Sequence, residues 1–413
     1  MPDEIETKSK SAGFTVGGVR LPRPFRIRRL GHFGVNVMDP EKSVDFYTRL
    51  LGFRISDPHD MGARLPPEVR DKVGPTTGYF LRHGTDHHSF VIFPRRAIDA
   101  RRGGAGEHPE VTTNQITWQV SSLREVTEGC GWFGETGIKI YRSGRDAPGS
   151  NWHVYPYDPD GHVNELYYGI EQIGWDGVSK PRAMHLKHYT EPPALPHISE
   201  YHEVKDGIAA GVDPLSGWHD QEKTEEKYDV GGVLLGRPFK IVKVGPVRLF
   251  VDTVQTAVDF YVERLGLTVT EEVTWKGHRC VFLRANTEHH SLGLYPKALR
   301  AELGLAGFTT LFSFGLQLGD YKQLKDAVDF LERQGVTIKH LPAELFPGID
   351  YTAFAIDPDG YAMQLSYYME QIGWDGRPRP AKDRPKIDND KWPEAVPEQP
   401  DTFLGEPFLG PWG

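Results

Sequence analysis

The chain has 413 residues, 38% of them hydrophobic, and a formal net charge of −9. That length supplies two domains with cores of their own, and the acidic balance excludes a general nucleic-acid surface. Cys130 and Cys280 are the only cysteines, which excludes a disulfide framework; Met1 to Lys10 is polar and unlike a signal peptide; and no apolar run approaches the roughly 20 residues of a membrane span, so a cytoplasmic protein is expected.

In chain order, Ile27 to Val37 reads as a strand. Phe33, Val35 and Val37 face one way, and His32, Gly34 and Asn36 the other. Asp39 caps a helix that has Pro40 in its first turn, an apolar stripe of Val44, Tyr47, Leu50 and Leu51, and Gly52 as its stop. Strands follow near Tyr79 to Arg82 and His88 to Phe93. The unit restarts with a strand over Gln115 to Val120, a helical stretch near Ser122 to Gly134, and strands near Ile138 to Tyr141, Trp152 to Tyr157 and Val163 to Tyr168. Asp57 to Thr77 and Ile98 to Thr113 read as loops. The spacing predicts an α+β fold in which helices cover one sheet face and leave polar residues on the other.

The whole pattern then repeats. Val16-Gly17-Gly18-Val19 returns 214 residues later as Val230-Gly231-Gly232-Val233, and Thr85-Asp86-His87-His88-Ser89 returns as Thr287-Glu288-His289-His290-Ser291. The closing motif Glu171-Gln172-Ile173-Gly174-Trp175-Asp176-Gly177 returns after 199 residues, from Glu370 to Gly376. Repeats of this size are duplicated domains. The expected division is a first domain over residues 16–177, a linker over 178–229, a second domain over 230–376 and a Pro-rich tail over 377–413. Trp175 and Trp374 are expected to be packing residues; for the tail two readings stay open, a loosely ordered segment or one whose aromatics dock on a neighbouring domain or subunit.

One position separates the copies. Asp158-Pro159-Asp160-Gly161 leads to Glu165, whereas Asp357-Pro358-Asp359-Gly360 leads to Gln364. A strand carboxylate after a tight turn can hold a divalent metal, which a lone amide does poorly. The first copy is therefore expected to carry a metal site that the second has lost.

With His32 ahead of the helix Ser43-Val44-Asp45-Phe46-Tyr47, the pair His87-His88, and the Asp-Pro-Asp-Gly turn before Glu165, the chain resembles the vicinal oxygen chelate superfamily. Within it, the chain is similar to the two-domain, type I extradiol ring-cleaving dioxygenases. The resemblance covers about residues 16 to 376. It implies two βαβββ modules per domain, the glyoxalase/bleomycin resistance/extradiol dioxygenase architecture. It also implies metal ligands at His32, Gln115 and Glu165. Gln115 departs from the family's pattern, since a histidine belongs there. His88 matches the acid-base residue of the family, with His87 beside it, and Tyr155 matches a tyrosine next to the metal shell. His153, on the same strand face as Tyr155, is a base or a substitute ligand. In the second copy Pro246, Ser313, Gln364 and Phe354 occupy the corresponding places, so that half reads as scaffold and pocket wall, or as a dimer surface.

The resemblance implies an oxygenase that opens a catecholic ring with dioxygen and a non-haem ferrous ion, Mn(II), Zn(II) or Ni(II) being the other metals to consider. Partners are a small aromatic substrate and dioxygen, with no nucleic acid and no membrane, and a homo-oligomer is expected. Two other classes stay open. One is a non-oxidative glyoxalase- or epimerase-like enzyme of the same superfamily, in which a glutamine ligand is ordinary and the metal is a Lewis acid. The other is a protein that sequesters an aromatic compound without turnover.

Overall fold

The computed structural model describes residues 13–397 except 105, 147, 186–188, 198–199, 374 and 390. Met1–Lys10, Trp374 and the last residues of the tail therefore lie outside the described residues. The first half forms one eight-stranded sheet: β1 Arg29–Val37, β2 Arg54–Asp60, β3 Thr77–Arg82, β4 Phe90–Pro94, β5 Thr113–Gln119, β6 Ile140–Arg145, β7 Trp152–Pro156 and β8 Asn164–Tyr168. The second half repeats it with β9 Ile241–Val251, β10 Thr268–Trp275, β11 His278–Arg284, β12 Leu292–Pro296, β13 Leu311–Leu318, β14 Ile338–Lys339, β15 Thr352–Ile356 and β16 Ala362–Ser366. The strand orders are β2-β3-β4-β1-β5-β8-β7-β6 and β10-β11-β12-β9-β13-β16-β15-β14. Each sheet is thus two βαβββ modules joined through their first strands, and the fold is α+β and duplicated.

The local chemistry explains the elements. Asp39 accepts a hydrogen bond from Lys42 N at 3.1 Å and starts the helix Pro40–Asp45, which loosens into a π turn over Phe46–Leu50. Ser122 caps the helix Leu123–Glu135 in the same way, accepting from Glu125 N. Phe33, Val35 and Val37 enter the core beneath these helices, together with Ile116 and Trp118 from β5. The alternate residues are left for the concave face. The stretches read as loops carry more structure than expected: Asp57 lies in β2, and Pro67–Val73 and Arg95–Arg102 are helices. Trp175 does not pack. It is fully exposed, because the turn that bears it ends on the surface.

The two halves share a core. Phe314 of β13 stacks on Phe90 at 5.0 Å and lies 5.3 Å from Phe33. The Asp-Pro-Asp-Gly turns join the halves reciprocally: the Tyr47 hydroxyl donates to Asp357, and the Tyr261 hydroxyl to Asp158, each at 2.9 Å. Asp160 likewise accepts from Asp252 N at 2.9 Å, as Asp359 does from Met38 N. The connector contains the helix Glu200–Ala209, whose Glu203 holds Arg145 of β6 in a bidentate pair at 2.8 and 2.9 Å. After the second sheet, Trp392 packs against the core and Pro393 O accepts from the Tyr321 hydroxyl at 2.7 Å. No helix among the described residues is long and apolar enough to cross a membrane.

Candidate active site

The concave face of the first sheet gathers most of the residues singled out in the sequence. β1, β5 and β8 lie side by side. His32 on β1 and Glu165 on β8 meet across β5, with Nε2 3.1 Å from Oε2, and both side chains are buried. Thr117 stands between them in register with Glu165, and its hydroxyl bonds the His32 N–H and carbonyl at 2.6 Å where the β1 ladder is interrupted. The other Glu165 oxygen accepts from the Asn151 amide at 2.6 Å. Tyr155 on β7 also hydrogen-bonds to Glu165. Burial first, and then the Glu165 charge, push its phenol pKa well above the ordinary range, so it keeps its proton. Gln115 lies on the same face of β5 as Thr117, in the wall of a pocket it shares with His88, Asn151 and Tyr155.

His88 belongs to a relay. Its Nδ1 lies 3.0 Å from His87 Nδ1, and His87 Nε2 lies 2.9 Å from Asp57 Oδ2. The carboxylate takes the His87 Nε2 proton. His87 Nδ1 is then an acceptor, His88 must donate from its own Nδ1, and His88 Nε2 is left as a lone pair at the pocket wall. Burial, reinforced by His32 and His87, holds the His88 pKa well below its usual value, so the ring is neutral. The His32 and His88 rings are 4.2 Å apart. Gly149 approaches His88 so closely that a Cβ there would sit 3.2 Å from Cε1, and its φ is +93°. The closing motif fixes this crossing: Glu171 O accepts from His87 N at 2.8 Å, and Glu171 N donates to Gly149 O at 2.9 Å.

His153 faces the same way as Tyr155 but turns to Arg142, whose Nη1 is 3.0 Å from His153 Nε2. Burial and then the neighbouring guanidinium, outweighing Asp146, hold its pKa at about 4. Asp146 takes that guanidinium in two bonds at 2.9 and 2.6 Å. Asp57, Asn151, Arg142 and Asp146 were not anticipated from the sequence. Only Asp57 left a signal there: Glu271, its repeat partner, keeps the carboxylate. Every residue lining the pocket falls between His59 and Val163, so the second half contributes no wall to it.

With this geometry in hand, the family model described as the Glyoxalase/Bleomycin resistance protein/Dioxygenase superfamily matches residues 29–166 and again 243–365. The chain belongs to that superfamily. Among curated proteins, Metapyrocatechase 2 of Cupriavidus necator is 26% identical over 147 residues, which are 35% of this chain and 38% of that protein. The chain thus spans about two fifths of the length of this curated relative. Two solved structures share the fold at 14% identity. The 2,3-dioxygenase LapB of Pseudomonas sp. KL28 has a TM-score of 0.53, covering 86% of this chain and 97% of that one. The Mn(II)-bound glyoxalase of Novosphingobium aromaticivorans has a TM-score of 0.51, covering 85% of each chain.

Proposed function

We propose that the first half is the catalytic one, and that the protein is a metal-dependent, extradiol-type dioxygenase opening a dihydroxylated aromatic ring. The observation that carries this reading is the buried His32–Glu165 pair beside the neutral, relay-held His88. The donors fit a divalent cation. An imidazole nitrogen and a carboxylate oxygen 3.1 Å apart have the separation of two ligands that share one ion at a cis angle, each about 2.1 Å from it. His32 and Glu165 would hold the ion, with the Gln115 amide oxygen as third ligand. This set differs from the usual two histidines and one carboxylate of ferrous oxygenases. When bound, the metal, Fe(II) in this reading, would gather the two vicinal substrate oxygens and dioxygen and pass electrons between them.

The remaining chemistry falls to the chain. His88 Nε2 is positioned to accept a proton from a substrate hydroxyl, and its charge once formed would be stabilised through His87 by Asp57. Tyr155 keeps its proton and donates a hydrogen bond, orienting Glu165. Phe80, Phe93 and Ile98 supply apolar pocket wall for a ring.

Gln115 in the pocket wall favours a second reading, a glyoxalase- or epimerase-like isomerase in which the metal is a Lewis acid and no oxygen is consumed. Metal analysis of the purified chain, followed by oxygen-electrode assays on catechols, separates the two. Iron with oxygen uptake supports the dioxygenase. A chain loaded with manganese, zinc, nickel or iron that consumes no oxygen with any catechol overturns it in favour of the isomerase.

A further inference from the structure

The concave face of the second sheet has reversed its charge. Register matching sets Arg248 at the place of Gly34, Ser313 at that of Gln115 and Gln364 at that of Glu165. Arg248 and Ser313 are direct partners across β9 and β13, while Gln364 on β16 pairs with Gly315, two residues along from Ser313 on the same face. All three side chains are fully buried.

Their polar atoms are not satisfied by the protein. Arg248 Nη2 donates to His290 Nε2 at 2.9 Å, but Nε and Nη1 have no hydrogen-bond partner. Ser313 Oγ and both amide atoms of Gln364 are in the same condition. The Tyr295 hydroxyl beside the guanidinium is uncharged: it gives its proton to Leu345 O at 2.6 Å, and its oxygen offers Arg248 a neutral acceptor but no counter-charge. Phe346 covers one face of Arg248 at 5.2 Å, and Phe354 packs on Phe346 at 4.9 Å. Among the described residues no ion pair reaches Arg248. Burial lowers its pKa, but only to about 10, so the group is a cation at neutral pH. A cation sealed among aromatic rings without a counter-charge is among the most costly arrangements a fold can hold, and two side chains on the same sheet face, Ser313 and Gln364, also carry unfilled donors.

We propose that this buried cluster is a binding site for a small monovalent anion of halide size, held by Nε and Nη1 of Arg248, the Ser313 hydroxyl and the Gln364 amide N–H. The first half is built around a buried carboxylate and takes a cation; the second replaces that carboxylate with an amide, adds a guanidinium, and takes the opposite charge. The site is independent of the metal chemistry proposed for the first half.

The test uses the full chain in thermal unfolding at constant ionic strength, with chloride or bromide exchanged for gluconate, which is too large for a site of halide size. The wild-type Tm is expected to rise by about 2 °C when the halide reaches roughly ten times its Kd. Crystals grown in bromide should show an anomalous peak in hydrogen-bonding contact with Arg248. Gln364→Glu supplies an internal counter-charge, and should abolish both the Tm response and the peak. Arg248→Met, which removes the cation, serves if the first variant does not fold. A wild-type Tm indifferent to halide, no bromide in contact with Arg248, or a halide response retained in both variants overturns the site.

Discussion

The two halves share one frame and differ in what fills it. In the first, β1 carries Gly34 opposite Val91 of β4, and a Cβ on Gly34 would fall 2.2 Å from the Val91 Cγ2. In the second, the same two places hold Arg248 and Gly293, and a Cβ on Gly293 would meet the Arg248 side chain at 3.1 Å. The bulk has moved from one strand to the other. With it, the Arg248 guanidinium reaches the lone pair of His290, whose counterpart His88 is left facing a pocket. The relay itself is common to both: Glu271, His289 and His290 repeat Asp57, His87 and His88 with the same contacts of about 3 Å. Around it the second half has packed Phe250, Phe282, Phe312, Phe346 and Phe354 into a closed cluster. The histidine pair is therefore a feature of the fold, and what its surroundings leave open decides whether it can do chemistry.

The largest effect is expected at the position that first distinguished the halves. Glu165→Ala should abolish retention of a divalent metal, and Gln364→Ala should leave it unchanged, as read by metal analysis after gel filtration. Metal held equally by both variants would refute the assignment of the ion to the first half. Next in size is the relay. His88→Gln should cut turnover on the order of 10²- to 10⁴-fold while sparing metal content. His290→Gln should leave turnover alone, because its acceptor nitrogen is taken by Arg248. Equal, small losses in steady-state assays of the two variants would reduce both pairs to a structural role. Smaller again is the effect at Gln115, the proposed third ligand. Gln115→His should tighten ferrous iron by about tenfold or more. Ser313→His, beside the buried Arg248 cation, should create no site; competition with a metal-sensitive dye reads both.

How much of this was legible in the sequence follows from what each signal encodes. The duplication, the strands that carry His32, Gln115 and Glu165, and the helix cap at Asp39 are matters of period and spacing, and the structure bears these elements out. The meeting of His32 and Glu165 came through the repeat and the resemblance rather than through periodicity. Asp57 was hidden because β2 lacks an apolar alternation: Arg54-Ile55-Ser56-Asp57-Pro58-His59-Asp60 reads as a loop, and becomes a strand by pairing with β3. Asn151 and Arg142 were hidden because a hydrogen bond between side chains of different strands leaves no trace in one chain's pattern. Trp175 misled for a related reason: repetition of the motif preserves its backbone, whose Glu171 ties down His87, and not the burial of every side chain in it.

The smallest expected effect concerns the turns that join the halves. Asp158 has His162 beside it, with Nδ1 2.8 Å from Oδ2, whereas Asp357 has the neutral Tyr361 at that place and, among the described residues, accepts from Tyr47, Tyr361 N and Asp359 N. Burial, despite those donors and with Asp359 adding to it, raises the Asp357 pKa to about 7. A folded pKa above the unfolded one means that the protonated form is preferred in the native state. The associated stability is complete below the usual aspartate value near 4 and is lost as pH rises through about 7. Asp158 acts on His162 in the same direction: burial lowers the imidazole pKa, but the adjacent carboxylate outweighs it and raises the net value, so stability from that cation also fades as pH rises through it. Wild-type Tm should therefore fall as pH rises from about 4 through about 7, the interval over which the Asp357 shift acts, with His162 adding in the same direction. Asp357→Asn should flatten that fall, by an amount on the order of a kcal/mol or more at the alkaline end, because the amide has no charge to bury. Asp158→Asn should lower Tm most at acid pH, where it removes the partner of a charged His162. Thermal unfolding across this range reads both. Parallel pH profiles for the two variants would mean that the aspartates are equivalent hinges after all, and that the exchange of His162 for Tyr361 carries no electrostatic consequence.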